Sequence, residues 1–245
     1  MSIAADRIIA ISTGKTVYRD GESVIKVFSQ PYPKALVFRE ALNQACMEDS
    51  PVRVPHVQRV FYAEQNLAIS YEYMRGKTLK RLIAEQPQKS EEFLKVLIDT
   101  QRLISSSRAD MLFPLKDRLA SSISAGINDA MLIYELTKLL YSMPEGASAC
   151  HGSLGLSSIL IGEDGAACVI NWSRAARGYY LYDAAASYIQ LYIEGEQALA
   201  EAYISMYCSS NDVSRQAISP WITLCAASRL SEGNAREREL LCAFI

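Results

Sequence analysis

The sequence is poor in the residues and patterns from which many functional sites are built. It has two histidines and six cysteines, and no two cysteines form a C-x-x-C pair. This scarcity argues against a zinc site, and we interpret the cysteines as reduced thiols that fill core space. No apolar run reaches the length of a membrane span, and a net charge of −2 provides no basic surface for nucleic acid. The sequence therefore predicts neither a membrane segment nor a nucleic-acid partner.

The N-terminus and the composition indicate an ordinary globular protein. Asp6 and Arg7 stand where a signal peptide would need its apolar stretch, which predicts a cytoplasmic location. Half of the 245 residues are apolar and 21% are charged. This length suffices for one large domain or two small lobes.

The first 75 residues have the pattern of an antiparallel sheet. Short alternating segments are separated by turn residues, and one stretch of helical spacing interrupts them. The predicted strands are 7–12, 15–21, 23–29, 57–64 and 67–74, and the predicted helix is 34–47. We therefore predict a small lobe over residues 1–75.

From residue 76 onward the apolar residues follow mainly helical spacing. Helices are predicted over 78–86, 90–107, 115–125, 129–141 and 180–195, and over most of the remainder to residue 245. A strand–turn–strand over 159–171, around Asp164-Gly165, is embedded among them. The pattern predicts an α+β fold with a larger helical lobe over residues 76–245.

Two short motifs invite functional interpretations that their surroundings do not support. Gly14-Lys15-Thr16 would end a P-loop, but Ile9 stands where the first glycine is needed and a strand follows. A plain hairpin turn and a hairpin that covers phosphates both remain open for Gly14. His151-Gly152-Ser153-Leu154-Gly155 differs from a hydrolase nucleophile elbow at its first position, and no histidine follows Ser153.

Lys26 lies inside an apolar strand, where alternation puts its side chain on the same face as Val24 and Phe28. An ammonium group on an apolar face costs free energy unless it finds a partner, and Glu40 in the following helix is the candidate. We therefore predict an ion pair between Lys26 and Glu40. The alternative is a lysine at a strand edge whose charged end reaches solvent.

Taken in order, several segments resemble the aminoglycoside-phosphotransferase-like branch of the kinase fold. The segments are VYRDGESVIKVF with Lys26, FREALNQACM with Glu40, EYMRGKTL, His151-Gly152, Ile159-Leu160, Trp172 and Tyr182-Asp183-Ala184. The resemblance runs over roughly residues 8–195, and it implies a two-lobed, protein-kinase-like fold.

The resemblance also implies a nucleotide site for ATP or another nucleotide. Its residues would be Gly14, the Lys26–Glu40 pair and the hinge residues Glu72, Tyr73 and Met74. His151 would belong to the catalytic loop. An unidentified small molecule or protein would be the partner.

The three positions at which this family performs its chemistry are changed. Ser153 stands in place of the catalytic Asp, Ser158 in place of a metal-binding Asn, and Asn171 in place of a metal-binding Asp. A serine hydroxyl is no base at neutral pH, and Mg²⁺ prefers anionic oxygen ligands. Loss of a general base alone costs ~10²–10⁴ in rate. Magnesium binding at Ser158 and Asn171 is therefore doubtful.

The sequence thus predicts a pseudokinase, a nucleotide- or ligand-binding scaffold or regulator without active phosphotransferase chemistry. A divergent small-molecule phosphotransferase that uses other residues is one alternative. A binding module with a remodelled cleft is another. The acceptor loops identify no ancestral substrate, and the sequence leaves the oligomeric state open.

Overall fold

The computed structural model describes residues 7–231 and 233–245. Asp6, one of the residues that argue against a signal peptide, lies outside them. No helix within these ranges is long and apolar enough to cross a membrane. All six cysteines are free thiols; Cys150, Cys168 and Cys225 are buried, whereas Cys242 is exposed. The interpretation of the cysteines as core residues is therefore wrong for Cys242.

A small antiparallel sheet forms the first lobe, as predicted. Within the described residues its strand order is β1-β2-β3-β5-β4. The strands are β1 Arg7–Ser12, β2 Lys15–Asp20, β3 Ser23–Phe28, β4 Val57–Ala63 and β5 Asn66–Glu72, and helix α1 is Lys34–Ala45. Gly14 occupies the tight β1–β2 turn with φ +70°, a conformation that favours glycine.

The two faces of β3 bury different residues, as its alternation predicts. Phe28 packs with Val37 of α1 in one apolar cluster, against which Val24 lies. Ile25 and Val27 belong to a separate cluster on the other face. Lys26 therefore shares the face that α1 covers.

The second lobe is larger and mostly helical. Its helices are α2 Leu79–Glu85, α3 Ser90–Ser106, α4 Leu115–Gly126, α5 Ala130–Ser142, α6 Leu181–Ile193, α7 Gln197–Asn211, α8 Arg215–Arg229 and α9 Ala235–Cys242. The central helix is α6, most of which is buried, and it packs against α7 and α8. This apolar core supports the segments that precede α6.

Short strands complete the second lobe beside the helices. They are β6 Gly76–Thr78, β7 Ser148–Cys150, β8 Ile159–Gly162, β9 Ala167–Val169 and β10 Ala176–Gly178. The predicted hairpin corresponds to β8 and β9, and β6 pairs with β8 while β7 pairs with β10. The sequence did not predict β6, β7 or β10. The boundary predicted at residues 75/76 falls between β5 and β6, and the independence of the two lobes stays a prediction.

Gln101 joins three helices of this lobe through polar contacts inside the core. Its Nε2 donates to the backbone oxygen of Asp183 at 3.0 Å and to Ser187 Oγ at 2.9 Å, both on α6. The hydroxyl of Tyr203, on α7, donates to Gln101 Oε1 at 2.8 Å. Since Gln101 is 4% exposed, water cannot easily replace these partners.

Gln101→Leu should lower the free energy of unfolding by about 2 kcal/mol, because it leaves the buried Tyr203 hydroxyl without an acceptor. Urea denaturation of both proteins measures the change. The matched control is Gln197→Leu, the same substitution at an exposed helical position, which should change stability by less than ~0.5 kcal/mol. Equal losses of stability in Gln101→Leu and Gln197→Leu would show that the buried contacts of Gln101 do not stabilise the core.

Candidate functional site

The ion pair predicted between Lys26 and Glu40 is present. Lys26 Nζ donates to Glu40 Oε1. The residues are 8% and 2% exposed, respectively, so the pair is buried where β3 meets α1. The Tyr71 hydroxyl lies 3.5 Å from the same carboxylate oxygen. Each charge therefore offsets the desolvation cost of the other.

A second lysine, Lys15, reaches the same carboxylate. Its Nζ lies 3.6 Å from Glu40 Oε2 and 5.1 Å from the centre of the Tyr32 ring. The β2–β3 register places Lys15 opposite Phe28, on the face that carries Lys26. Burial lowers the pKa of Lys26 and nearby Lys15 lowers it further, while Glu40 opposes both effects. Two cations thus share one buried carboxylate beside the Gly14 turn.

The loop that begins at His151 is fixed by Asp183 in the first turn of α6. The backbone N–H groups of His151 and Gly152 donate to the Asp183 carboxylate at 2.7 and 2.8 Å. Gly152 has φ +82°, and a Cβ there would lie 2.2 Å from the Arg174 carbonyl oxygen. Burial raises the pKa of Asp183 to about 6, although both N–H donors favour its ionised form.

Ile170 joins this loop to the β8–β9 hairpin. Its N–H donates to the Ser158 carbonyl oxygen, and its own carbonyl accepts from His151 Nε2, both at 2.9 Å. The His151 side chain has no exposed surface, and burial lowers its pKa to about 4. His151, predicted as a catalytic-loop residue, therefore lies beneath the loop as a neutral hydrogen-bond donor.

Of the three changed positions, Ser158 belongs to this hydrogen-bonded frame, and Ser153 directly follows its residue Gly152. Ser153 is half-buried, Ser158 is buried and Asn171 is exposed. Asn171 directly follows Ile170 and adopts the left-handed conformation, with φ 69° and ψ 52°, which asparagine tolerates better than most residues. Asn43 Nδ2, one helical turn after Glu40, donates to the Trp172 carbonyl oxygen at 2.9 Å. This contact ties the helix of the ion pair to the segment of Asn171.

The donors in this frame do not fit Mg²⁺. Ser158 and Asn171 offer neutral oxygens where a hard cation prefers carboxylates. Both Asp183 oxygens accept backbone N–H groups, and Asp164 is exposed and paired with Arg53 at 2.6 Å. Over the described ranges, no group of three or more His, Cys, Asp or Glu side chains could hold a metal.

The backbone N–H groups of two predicted hinge residues are already paired. The N–H of Glu72 donates to His56 O at 2.9 Å, and that of Tyr73 donates to Glu22 O at 3.0 Å. The Arg19 guanidinium lies 4.2 Å from the Tyr73 ring centre.

A cavity of about 670 Å³ opens beside the hinge. It extends from Arg19 and Tyr73 to Lys77 on β6 and Ile161 on β8. Glu72, Met74, Lys26 and Glu40 are absent from its lining. The structure therefore brings Lys26, Glu40 and Lys15 together but places only Tyr73 of the hinge at this cavity.

Sequence reasoning missed Lys15 and Arg19. Arg19 was visible only as part of a strand, and Lys15 only as part of a strand and of the Gly14-Lys15-Thr16 motif. The position of each side chain depends on the register between β2 and β3. Counting back from the Gly21 turn places Arg19 opposite Val24 and Lys15 opposite Phe28, which was the available signal.

The comparisons with known proteins identify the fold. No family model and no curated protein matches the sequence. Among solved structures, aminoglycoside phosphotransferase APH(4)-Ia aligns with a TM-score of 0.71 at 16% identity, covering 98% of this chain and 93% of that one. Choline kinase LicA from Streptococcus pneumoniae aligns with a TM-score of 0.63 at 12% identity, covering 99% and 92%.

One further solved structure contains an aminoglycoside phosphotransferase with bound ligands. A thermostable mutant of APH(4)-Ia, in a ternary complex with ADP and hygromycin B, aligns with a TM-score of 0.69 at 16% identity, covering 98% and 93%. The chain thus has the aminoglycoside phosphotransferase-like form of the kinase fold over nearly its whole length. The predicted fold is confirmed.

Lys26→Met should destabilise the protein by about 3 kcal/mol, because it leaves the buried Glu40 with only the more distant Lys15. Lys15→Met should cost less, and adding Glu40→Leu to Lys26→Met should recover part of the loss. Denaturant titration of the unchanged protein and of these three variants measures the free energy of unfolding. Lys77→Met, which breaks an exposed pair with Glu85, is the control and should cost under ~1 kcal/mol. A larger loss for Lys15→Met than for Lys26→Met would overturn this order.

The stability difference between the unchanged protein and His151→Gln should depend on pH. His151 has a pKa of about 4 in the fold against 6.5 as the ordinary value, so only the unfolded chain gains its proton between these values. The contribution of neutral His151 to the free energy of unfolding is fully present above pH 6.5. It decreases as pH falls toward 4, by about 3 kcal/mol in all. Chemical denaturation at several pH values measures the difference.

His56→Gln provides the control for this experiment. Glu48 raises the pKa of exposed His56, so its contribution is present at low pH and is lost as pH rises. The two variants should therefore change with pH in opposite directions. A His151→Gln difference that stays constant from pH 7 to 4 would show that His151 is not held neutral.

Proposed function

We propose that this chain is a pseudokinase, a scaffold or regulator that binds a nucleotide through its phosphates and lacks ordinary magnesium-dependent phosphoryl transfer. The proposal rests on a difference in charge between two parts of the site. Lys15 and Lys26 hold positive charge around buried Glu40. The positions of the chemistry, Ser153, Ser158 and Asn171, supply only neutral groups.

The two lysines around Glu40 suit phosphate oxygens. Two ammonium groups around one carboxylate leave a net positive charge, and a phosphate group close to Lys15 and Lys26 would be attracted by both. Gly14, in the tight turn before Lys15, carries no side chain of its own, and the Tyr32 ring lies 3.4 Å from where its Cβ would stand. The solved structures support a nucleotide as the ligand, since APH(4)-Ia mutants of this fold form complexes with ADP and AMP-PNP.

The other side of the site explains the loss of chemistry. Phosphoryl transfer in this fold relies on charge stabilisation by metal ions and on a base that orients the acceptor hydroxyl. Among the described residues, no hydrogen bond joins the Ser153 hydroxyl to a basic side chain. His151, two residues before it, is buried with its ring donating to Ile170 O. A serine hydroxyl in this setting does not accept the proton.

One observation favours the remodelled binding module as a second candidate. At the hinge, Arg19 lies against the Tyr73 ring, and the Tyr73 N–H already donates to Glu22 O. A purine that pairs with hinge backbone groups would compete with these contacts. In that case the cleft would take a phosphate-bearing or other anionic ligand without a nucleobase.

The triple variant Ser153→Asp, Ser158→Asn, Asn171→Asp should bind AMP-PNP at least tenfold more tightly with Mg²⁺ than without it. It adds two carboxylates to the frame that holds Lys26 and Glu40, and metal ligands act as a unit. The unchanged protein should bind AMP-PNP equally well with and without Mg²⁺. Isothermal titration calorimetry measures both proteins.

Three further measurements make this experiment decisive. Asn171→Asp alone should give an intermediate magnesium effect, and Lys26→Ala should weaken nucleotide binding in either background. Tighter binding by the unchanged protein on addition of Mg²⁺ would contradict the pseudokinase proposal. Absence of AMP-PNP binding in every variant would favour the binding module.

A further inference from the structure

A second cavity, of about 320 Å³, lies between α1, α4, residues 173–175 and the end of α8. Three arginines line it: Arg39 of α1, Arg118 of α4 and Arg174. None of its lining residues is an aspartate or a glutamate. Lys15, Lys26 and Glu40 are absent from the lining, so this cavity is separate from the proposed nucleotide site.

Arg118 is held rigidly at the wall of this cavity. Its Nη1 donates to the Arg174 carbonyl oxygen, and its Nη2 lies 3.4 Å from the Tyr182 hydroxyl. The guanidinium is also 5.6 Å from the Tyr182 ring centre. Its Nε is buried and has no hydrogen-bond partner among the described residues. A guanidinium carries five N–H groups, so both Nη atoms keep a further donor beyond these contacts for an acceptor in the cavity.

Arg39 provides a second cation on the opposite wall. Its guanidinium lies 4.9 Å from the Phe113 ring centre. Within the part of the chain that the structure describes, it has no ion pair or hydrogen bond. Stacking on Phe113 orients the guanidinium but leaves its N–H donors available.

A further arginine, Arg229, lies close to Arg174. Arg229 is 8% exposed and donates to Gln190 Oε1 at 2.8 Å. Burial lowers the pKa of Arg229, and the nearby charge of Arg174 lowers it further. Glu237 opposes both effects, and an anion in the cavity would add a further negative charge near these arginines.

The remaining lining suits a small phosphomonoester. Arginine binds phosphate oxygens through two parallel N–H groups, and serine hydroxyls add further donors. Ser121, Ser122 and Ser173 line the cavity, whereas the hydroxyl of the fourth lining serine, Ser228, already donates to Cys225 O at 2.9 Å. Leu36, Leu119 and Phe113 provide apolar contact for an organic group. The volume is at the lower end of the ~300–1,000 Å³ range of small-molecule pockets.

We propose that this arginine cavity is a second ligand site, which binds a small phosphomonoester independently of the nucleotide site. Gly152 links the two regions, since a Cβ on it would lie 3.0 Å from Arg118 Nη1. The cavity therefore borders the loop that carries Ser153. The inference does not depend on nucleotide binding.

The test is isothermal titration of phenyl phosphate into the full chain, with phenol and inorganic phosphate as comparison probes. Arg39→Gln should weaken phenyl phosphate binding at least tenfold, since Arg39 is exposed on α1 and its replacement should not disturb folding. Arg118→Lys should also weaken it, because lysine keeps the charge but loses the planar fork. Arg236→Gln, which removes an exposed charge from α9, should leave binding unchanged.

Several outcomes would overturn the proposal. Absence of phenyl phosphate binding at millimolar concentration would do so, as would equal binding by Arg39→Gln and Arg236→Gln. Loss of binding in Lys26→Met but not in Arg39→Gln would move the ligand to the nucleotide site. Tighter binding of a phosphotyrosine peptide than of phenyl phosphate, lost in Arg39→Gln, would replace the small ligand by a protein partner.

Discussion

One buried carboxylate fixes the geometry of the candidate site. Asp183 accepts the N–H groups of His151 and Gly152, and its backbone oxygen accepts from Gln101 of α3. The loop is therefore attached to the helical core. The side chains that fix it are not those at positions 153, 158 and 171, so changes at these three positions leave the hydrogen bonds of Asp183 in place.

The charges around Glu40 differ from those at positions 153, 158 and 171. Lys15 and Lys26 surround Glu40, and Asn43 connects this helix to the segment that follows Asn171. An anion therefore finds cations already in place. A phosphoryl group in transfer also needs metal-borne charge and a proton acceptor, which the neutral groups at 153, 158 and 171 do not provide. This difference in charge is the basis of the proposed pseudokinase function.

Much of this architecture was predictable because its signals are local. Alternation and turn pairs gave the strands of the first sheet, and the face of β3 gave the contact between Lys26 and Glu40. The three-residue strands β6, β7 and β10 were not predictable, since each is too short for a pattern and pairs with a distant segment. The arginine cavity assembles side chains from α1, α4 and residues 173–175, which only tertiary packing brings together. Lys15 needed the register of a neighbouring strand.

A pseudokinase should not transfer the phosphoryl group of ATP. Release of ADP from ATP, measured with Mg²⁺ present and with water or a panel of hydroxyl and amino compounds as acceptors, checks this property. The purified protein and its Lys26→Ala variant should give the same background rate. A rate well above background that disappears in Lys26→Ala would contradict it, because a contaminating kinase would not respond to that substitution.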